Sequence, residues 1–109
     1  MPTTPSEHTR LQLELYLAMR AEAAWPRLAG LRVRHRGQYA YVEGELADGE
    51  RLKLMRLRYT GTTIRWGFAL YDPSSDRYHD SLLPTGSGSG SPEDALDTAC
   101  HLHLAAPDG

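Results

Sequence analysis

Three groups of residues in this 109-residue chain have types and spacings that could do chemistry. The first is Cys100-His101-Leu102-His103, which invites a metal ion. Residues two apart on a helix point about 200° apart, so His101 and His103 cannot both ligate one ion. Cys100 and His103 share a face but need two further ligands, with His35 and His79 as the remaining candidates. The competing reading is a buried cysteine beside a boundary histidine. The second group is His79, Asp80 and Ser81. On a strand, His79 and Ser81 are same-face neighbours roughly 7 Å apart, too far for a base and its nucleophile. Asp72 and Asp76 flank a turn, where aspartates commonly bond backbone amides. No metal site, no cofactor and no catalytic residue are assigned, and a binding module is expected rather than an enzyme.

The third group is arginine with tyrosine. Arg32, Arg34 and Arg36 alternate along one run, and Arg56, Arg58 and Arg65 share a solvent face by parity, with Tyr39, Tyr41 and Tyr71 nearby. Guanidinium forks hold phosphates or read guanine edges, and exposed rings stack on bases. The same pair of residue types is enriched in protein interfaces. A third reading is a solvated sheet face on which Glu43 and Glu45 pair with arginines across strands. Nucleic acid is the leading expectation for a partner, and a second copy of the chain the alternative.

A glycine-serine run, GSGSGS at 86–91, resembles a phosphate cradle only superficially. Its amides precede a helix, but Glu93 and Asp94 follow and repel phosphate, and no lysine stands in the P-loop position. The run reads instead as a flexible loop over 84–91.

Charge is unevenly spread. From Arg10 to Arg65, ten Arg and one Lys face six acids, a net +5. From Trp66 onward, one Arg faces seven acids, a net −6, and Glu7 brings the total to −2. Such asymmetry predicts a basic surface and an acidic one, unless the two halves interleave in space. Eleven of the twelve basic residues are arginine, with Lys53 alone. Apolar runs are shorter than the roughly 18 residues that span a bilayer, so no membrane is expected. The first ten residues lack a charged stretch followed by an apolar one, unlike a secretory signal. With Cys100 as the only cysteine, a reducing cytoplasm is the expected compartment.

The elements that must position these groups follow from periodicity. Thr4 as N-cap, Pro5 at the first position and Glu7 predict a first helix. Its expected inner stripe is Leu11, Leu15, Ala18, Ala21 and Trp25, and the width of its apolar arc predicts burial against a second subunit as well as the sheet. Pro26 ends it. LRVRHR and YAYVEGEL alternate as strands around Gly37-Gln38. Asp48-Gly49 signals a hairpin turn. RLKLMRLRY changes phase, and a β-bulge near Leu54-Met55 reconciles its two apolar sets. IRWGFALY places Ile64, Trp66, Phe68 and Leu70 on one face, and RYHDSLL forms a fifth strand after a polar turn. Ser91 and Pro92 start a second helix with Leu96, Ala99, Cys100 and His103 inside, and AAPDG frays after it. The expectation is one small α+β domain over 1–109: an antiparallel meander of about five strands flanked by two helices, α-β-β-β-β-β-α.

From Leu57 onward, Trp66, Tyr71-Asp72-Pro73 and the Glu93-Asp94-Ala95 helix start give the chain a further likeness. They resemble AP2 domains and the arm-binding domains of tyrosine integrases, in which a three-stranded sheet and a helix follow this pattern. The resemblance implies major-groove docking through strand arginines, by position Arg56, Arg58, Arg65 and Arg77. His79 and Asp80 stand where those families carry basic residues, and two strands and a helix precede the motif. The chain as a whole resembles short uncharacterised proteins of high-GC actinobacteria.

Overall fold

Ser6, not Thr4, starts the first helix. In the computed structural model, which describes residues 4–104, the Ser6 side chain accepts from the Thr9 amide at 3.1 Å and caps α1 (Glu7–Ala24). Pro5 therefore precedes the cap, and serine fills the position that suits it best. The inner face of α1 also differs from expectation. Thr9, Leu13, Leu17 and Ala21 are buried at four-residue spacing, whereas Leu11, Leu15 and Ala18 face outward. Both leucine rows have helical spacing, so periodicity alone could not choose between them.

The strands follow in a meander: β1 (Leu28–Arg36), β2 (Tyr39–Leu46), β3 (Arg51–Tyr59), β4 (Trp66–Asp72) and β5 (Arg77–Asp80). All neighbours are antiparallel, in the order β1-β2-β3-β4-β5. A sixth short strand, β6 (Ser89–Gly90), pairs with the start of β4 beyond the reach of β5. Two-residue turning at Gly37 uses its positive φ of 59°, which an L side chain resists. Then α2 (Pro92–His103), capped by Ser91, closes the chain. Both helices pack on one face of the sheet, giving two layers around one core. The AAPDG segment lies outside the described residues.

The phase change in β3 is a bulge. Val42 pairs with Met55 but Glu43 pairs with Lys53, which leaves Leu54 as the extra residue. Leu52, Leu54, Met55 and Leu57 all turn to the helix side, and Leu54, Met55 and Leu57 are fully buried. The core is completed by Ala40, Val42, Trp66, Phe68, Leu96, Ala99 and Cys100. Ile64 is not part of it. β4 begins at Trp66, and Ile64 sits 65% exposed in the preceding loop.

The 84–91 segment is held by bonds that its composition does not advertise. The Leu83 amide donates to the Ser87 carbonyl at 2.8 Å, and the Phe68 amide donates to the Gly88 carbonyl at 3.0 Å. A Cβ at Gly90 would come within 2.4 Å of Leu83 Cδ1, so glycine is what lets this strand close on the leucine. Within the segment expected as a flexible loop, Ser89 and Gly90 pair with β4 as a strand. No helix among the described residues is long and apolar enough to cross a membrane.

Candidate functional site

The sheet face away from the helices carries the arginines and tyrosines. Directly paired residues on antiparallel strands point the same way, so the register defines this face. One rung runs Arg36, Tyr39, Arg58, Gly67 across β1 to β4. The next runs Arg34, Tyr41, Arg56, Ala69, Asp80 across all five strands. Arg32, Glu43 and Lys53 form a third, Glu45 and Arg51 a fourth, and Tyr71 faces Tyr78. The bulge makes this possible. Arg51 and Lys53 have odd numbers, Arg56 and Arg58 even ones, and the extra residue Leu54 brings all four to one side.

The tyrosines form a connected strip. Ring centroids are 6.3 Å apart for Tyr39–Tyr41, 5.4 Å for Tyr41–Tyr78 and 5.3 Å for Tyr71–Tyr78. Cations lie on them. Arg34 is 5.4 Å from the centroid of Tyr41, Arg56 is 4.7 Å from Tyr39 and 5.9 Å from Tyr78, and Lys53 is 5.3 Å from Tyr71. These distances fall within cation–π range. Seven cations (Arg32, Arg34, Arg36, Arg51, Lys53, Arg56, Arg58) share the face with Glu43, Glu45 and Asp80, and Asp76 reaches it from the turn.

The ion pairs here are long, and each has at least one exposed partner: Arg51–Glu45 at 3.9 Å, Lys53–Asp76 at 3.7 Å and Arg56–Asp80 at 3.6 Å. Pairs of this kind contribute little. Among the described residues, no carboxylate lies within 4.0 Å of Arg32, Arg34, Arg36 or Arg58. Tyr71 donates its hydroxyl to Asp76 at 2.5 Å. That bond pushes the phenol up to about 12, and it holds the Asp76 carboxyl below its ordinary range with help from Lys53. Burial raises Tyr78 as well.

Two expected members fall away from this face. Arg77 pairs with Asp72 and alternates with Tyr78, so its strand position points to the helix side. Arg65 precedes β4, in the loop, and its guanidinium donates to Ser87 Oγ at 3.3 Å. Four members were missed. Arg51 and Lys53 were hidden by the bulge. Tyr78 and Asp80 were legible, since Tyr78 mirrors Tyr71 about the Asp72–Arg77 pair, and alternation then places Asp80 beside it.

The other constellations do not assemble. Ser81 Oγ donates to the His79 backbone carbonyl at 2.7 Å. In the turn, His79 Nε2 lies 3.1 Å from Ser75 Oγ and 3.5 Å from Asp72 Oδ2. One ring nitrogen thus meets both groups, whereas a triad histidine bridges serine and aspartate with different nitrogens. Asp72 is held below its ordinary range by the hydroxyl and amide of Ser74 and the hydroxyl of Ser75, which marks it as a turn residue. Cys100 is buried, and burial pushes its thiol up to about 12, away from the reactive thiolate. His103 is pushed down by burial. The described residues hold no group of three or more potential metal ligands.

At the β4 side of the face lies a depression of about 470 Å³. Gly67 and Ala69 contribute to its lining, with Tyr39, Arg56 and Arg58 from the neighbouring strands and Asp80, Ser81 and Leu82 from the chain beyond them. Ala69 is only 2% exposed although it belongs to the outer face. No protein-family model matches the chain, and no curated protein or solved structure is significantly similar to it.

Proposed function

We propose that the protein binds single-stranded nucleic acid on the arginine–tyrosine face of its sheet. The observation that carries this reading is the strip Tyr39–Tyr41–Tyr78–Tyr71 with Arg34, Arg56 and Lys53 lying over its rings. Aromatic rings beside cations on an open surface offer bases a stacking partner and phosphates a counter-charge. Four further arginines, Arg32 and Arg36 on β1 and Arg51 and Arg58 on β3, add to the positive strip, while Glu93, Asp94 and Asp97 sit on α2 in the other layer. The net charge of −2 therefore hides two unlike surfaces.

A single strand suits the shape better than a duplex. The major groove admits a helix or a two-stranded ribbon, and this platform is five strands wide. Duplex docking on β3 to β5 would also meet Asp80 and the Tyr71–Asp76 turn. The reading is tested by fluorescence anisotropy with labelled single-stranded oligonucleotides at 50 and 200 mM salt. Binding that weakens steeply with salt is expected. No binding, or binding indifferent to salt, overturns it.

A second reading rests on α1. Leu11, Leu15 and Met19 stand at four-residue spacing and are 60%, 54% and 61% exposed. An apolar row of this kind fits a homodimer through paired α1 helices. Light scattering at high concentration tests it: a dimer that Leu15→Glu dissociates supports it, and a monomer refutes it.

A further inference from the structure

We infer that the depression beside β4 takes a guanine base; this rests on the nucleic-acid reading of the face and assigns one of its subsites. The depression, about 470 Å³, is within the size range of small-ligand sites. Three charged residues line it, Arg56, Arg58 and Asp80, and Arg56 already lies over Tyr39 and beside Asp80. Arg58 lies flat over Gly67: a Cβ there would come within 3.2 Å of Nη2 and 3.3 Å of Nε. Among the described residues, no carboxylate approaches its guanidinium within 4.0 Å, so its donor fork is uncommitted. Asp80 also lines the depression, with its side chain 95% exposed and a 3.6 Å pair to Arg56 as its ionic contact. A donor fork and a carboxylate thus border one slot, with the exposed Leu82 available to flank a ring and the Tyr39 ring, under Arg56, at its edge.

Guanine matches that pairing. Its N7 and O6 accept from a guanidinium fork, the commonest specific arginine contact. Its N1–H and N2–H are two adjacent donors for a carboxylate. Adenine sets an N1 acceptor beside its amino group, cytosine sets N3 beside its own, and thymine and uracil flank a single N3–H with carbonyls. Each would turn a lone pair towards Asp80. A side chain at Gly67 would press on Arg58, whose Nη2, Nε and Cβ would have to give by a few tenths of an ångström.

The test uses the full chain and an oligothymidylate octamer whose central residue is replaced in turn by dG, dA or dC. Free GMP and AMP are titrated separately. The dG octamer is expected to bind about tenfold tighter than the dA octamer, the discrimination of one good bidentate contact. Asp80→Asn should abolish that preference while the all-thymidine octamer binds as well or better, because a negative charge has left the face. Arg58→Lys keeps the charge and should also lose the preference. Equal binding of all four octamers overturns the guanine site and leaves strand binding standing. Binding of GMP over AMP without any octamer binding supports the guanine site and overturns strand binding. No binding of any ligand overturns both.

Discussion

The guanidinium of Arg56 lies 4.7 Å from the centroid of the Tyr39 ring, on the neighbouring strand. It reaches Asp80 at only 3.6 Å and Tyr78 at 5.9 Å. Arg56 is thus placed by rings more than by a carboxylate. That placement depends on the Leu54 bulge, which turns Arg56 and Arg58 to the side already occupied by Arg51 and Lys53.

Replacing Arg56 and Arg58 together by alanine should weaken oligonucleotide binding and flatten its salt dependence. Each lost phosphate contact on a single strand removes about 0.7 from the slope of log K against log salt. The double variant should therefore lose about 0.7, the Arg56 share, since Arg58 meets a base rather than a phosphate, read from anisotropy titrations at several salt concentrations. Arg77→Ala, whose strand position points to the helix side, should leave the slope unchanged.

Tyr71 should ionise late. Its bond to Asp76 pushes the phenol up to about 12, above the usual 10.0. The folded state then keeps a proton that the unfolded chain gives up, so this contribution to stability is complete below about pH 10 and is lost as pH rises towards about 12. Ultraviolet titration should show delayed tyrosines, Tyr71 and Tyr78, of which Tyr71→Phe removes one. A titration unchanged by that substitution would show the bond to be absent in solution.

The two helices are joined through Asp97. It accepts from Arg20 Nε at 3.0 Å, Arg20 Nη2 at 2.7 Å and Trp25 Nε1 at 2.8 Å. Burial raises its carboxyl, but these donors outweigh burial and hold it below its ordinary range. Its contribution is present above an unfolded pKa of about 4 and is lost as pH falls through the lower folded value. Asp97→Ala should cost about 2 kcal/mol in urea unfolding near neutral pH, and less of that difference should remain at pH 3.

Leucines two residues apart on α1 should behave very differently. Leu13 is fully buried and Leu15 is 54% exposed. Leu13→Ala should cost about 2–5 kcal/mol. Leu15→Ala should stay within about 0.5 kcal/mol for the monomer. The reverse order would place the other leucine row against the sheet.

Much of the fold was legible because strand parity and helix caps are local signals. The bulge at Leu54-Met55 and the turns at Gly37 and Asp48-Gly49 could be read from alternation and turn residues. The buried side of α1 could not, because Leu11/Leu15 and Leu13/Leu17 have the same spacing, and tertiary packing decides between them. The 84–91 segment was illegible for a related reason: Gly and Ser favour flexibility until a neighbouring edge, here Trp66 and Gly67 of β4, offers hydrogen bonds. On the candidate face, Arg32, Arg34, Arg36, Tyr39 and Tyr41 followed from simple alternation. Arg51 and Lys53 required knowing which side of the bulge each residue falls on. Arg65 was lost because β4 starts at Trp66, two residues later than its alternation implies.

The central claim is that this face, rather than either helix, meets a nucleic-acid strand. The direct measurement is a heteronuclear NMR titration of the labelled protein with an oligothymidylate octamer. Perturbations should concentrate on Arg34, Tyr41, Arg56 and Tyr78 and spare Leu15 and Asp94. Perturbations confined to α1 or α2, or none at octamer concentrations well above the protein's, would contradict it.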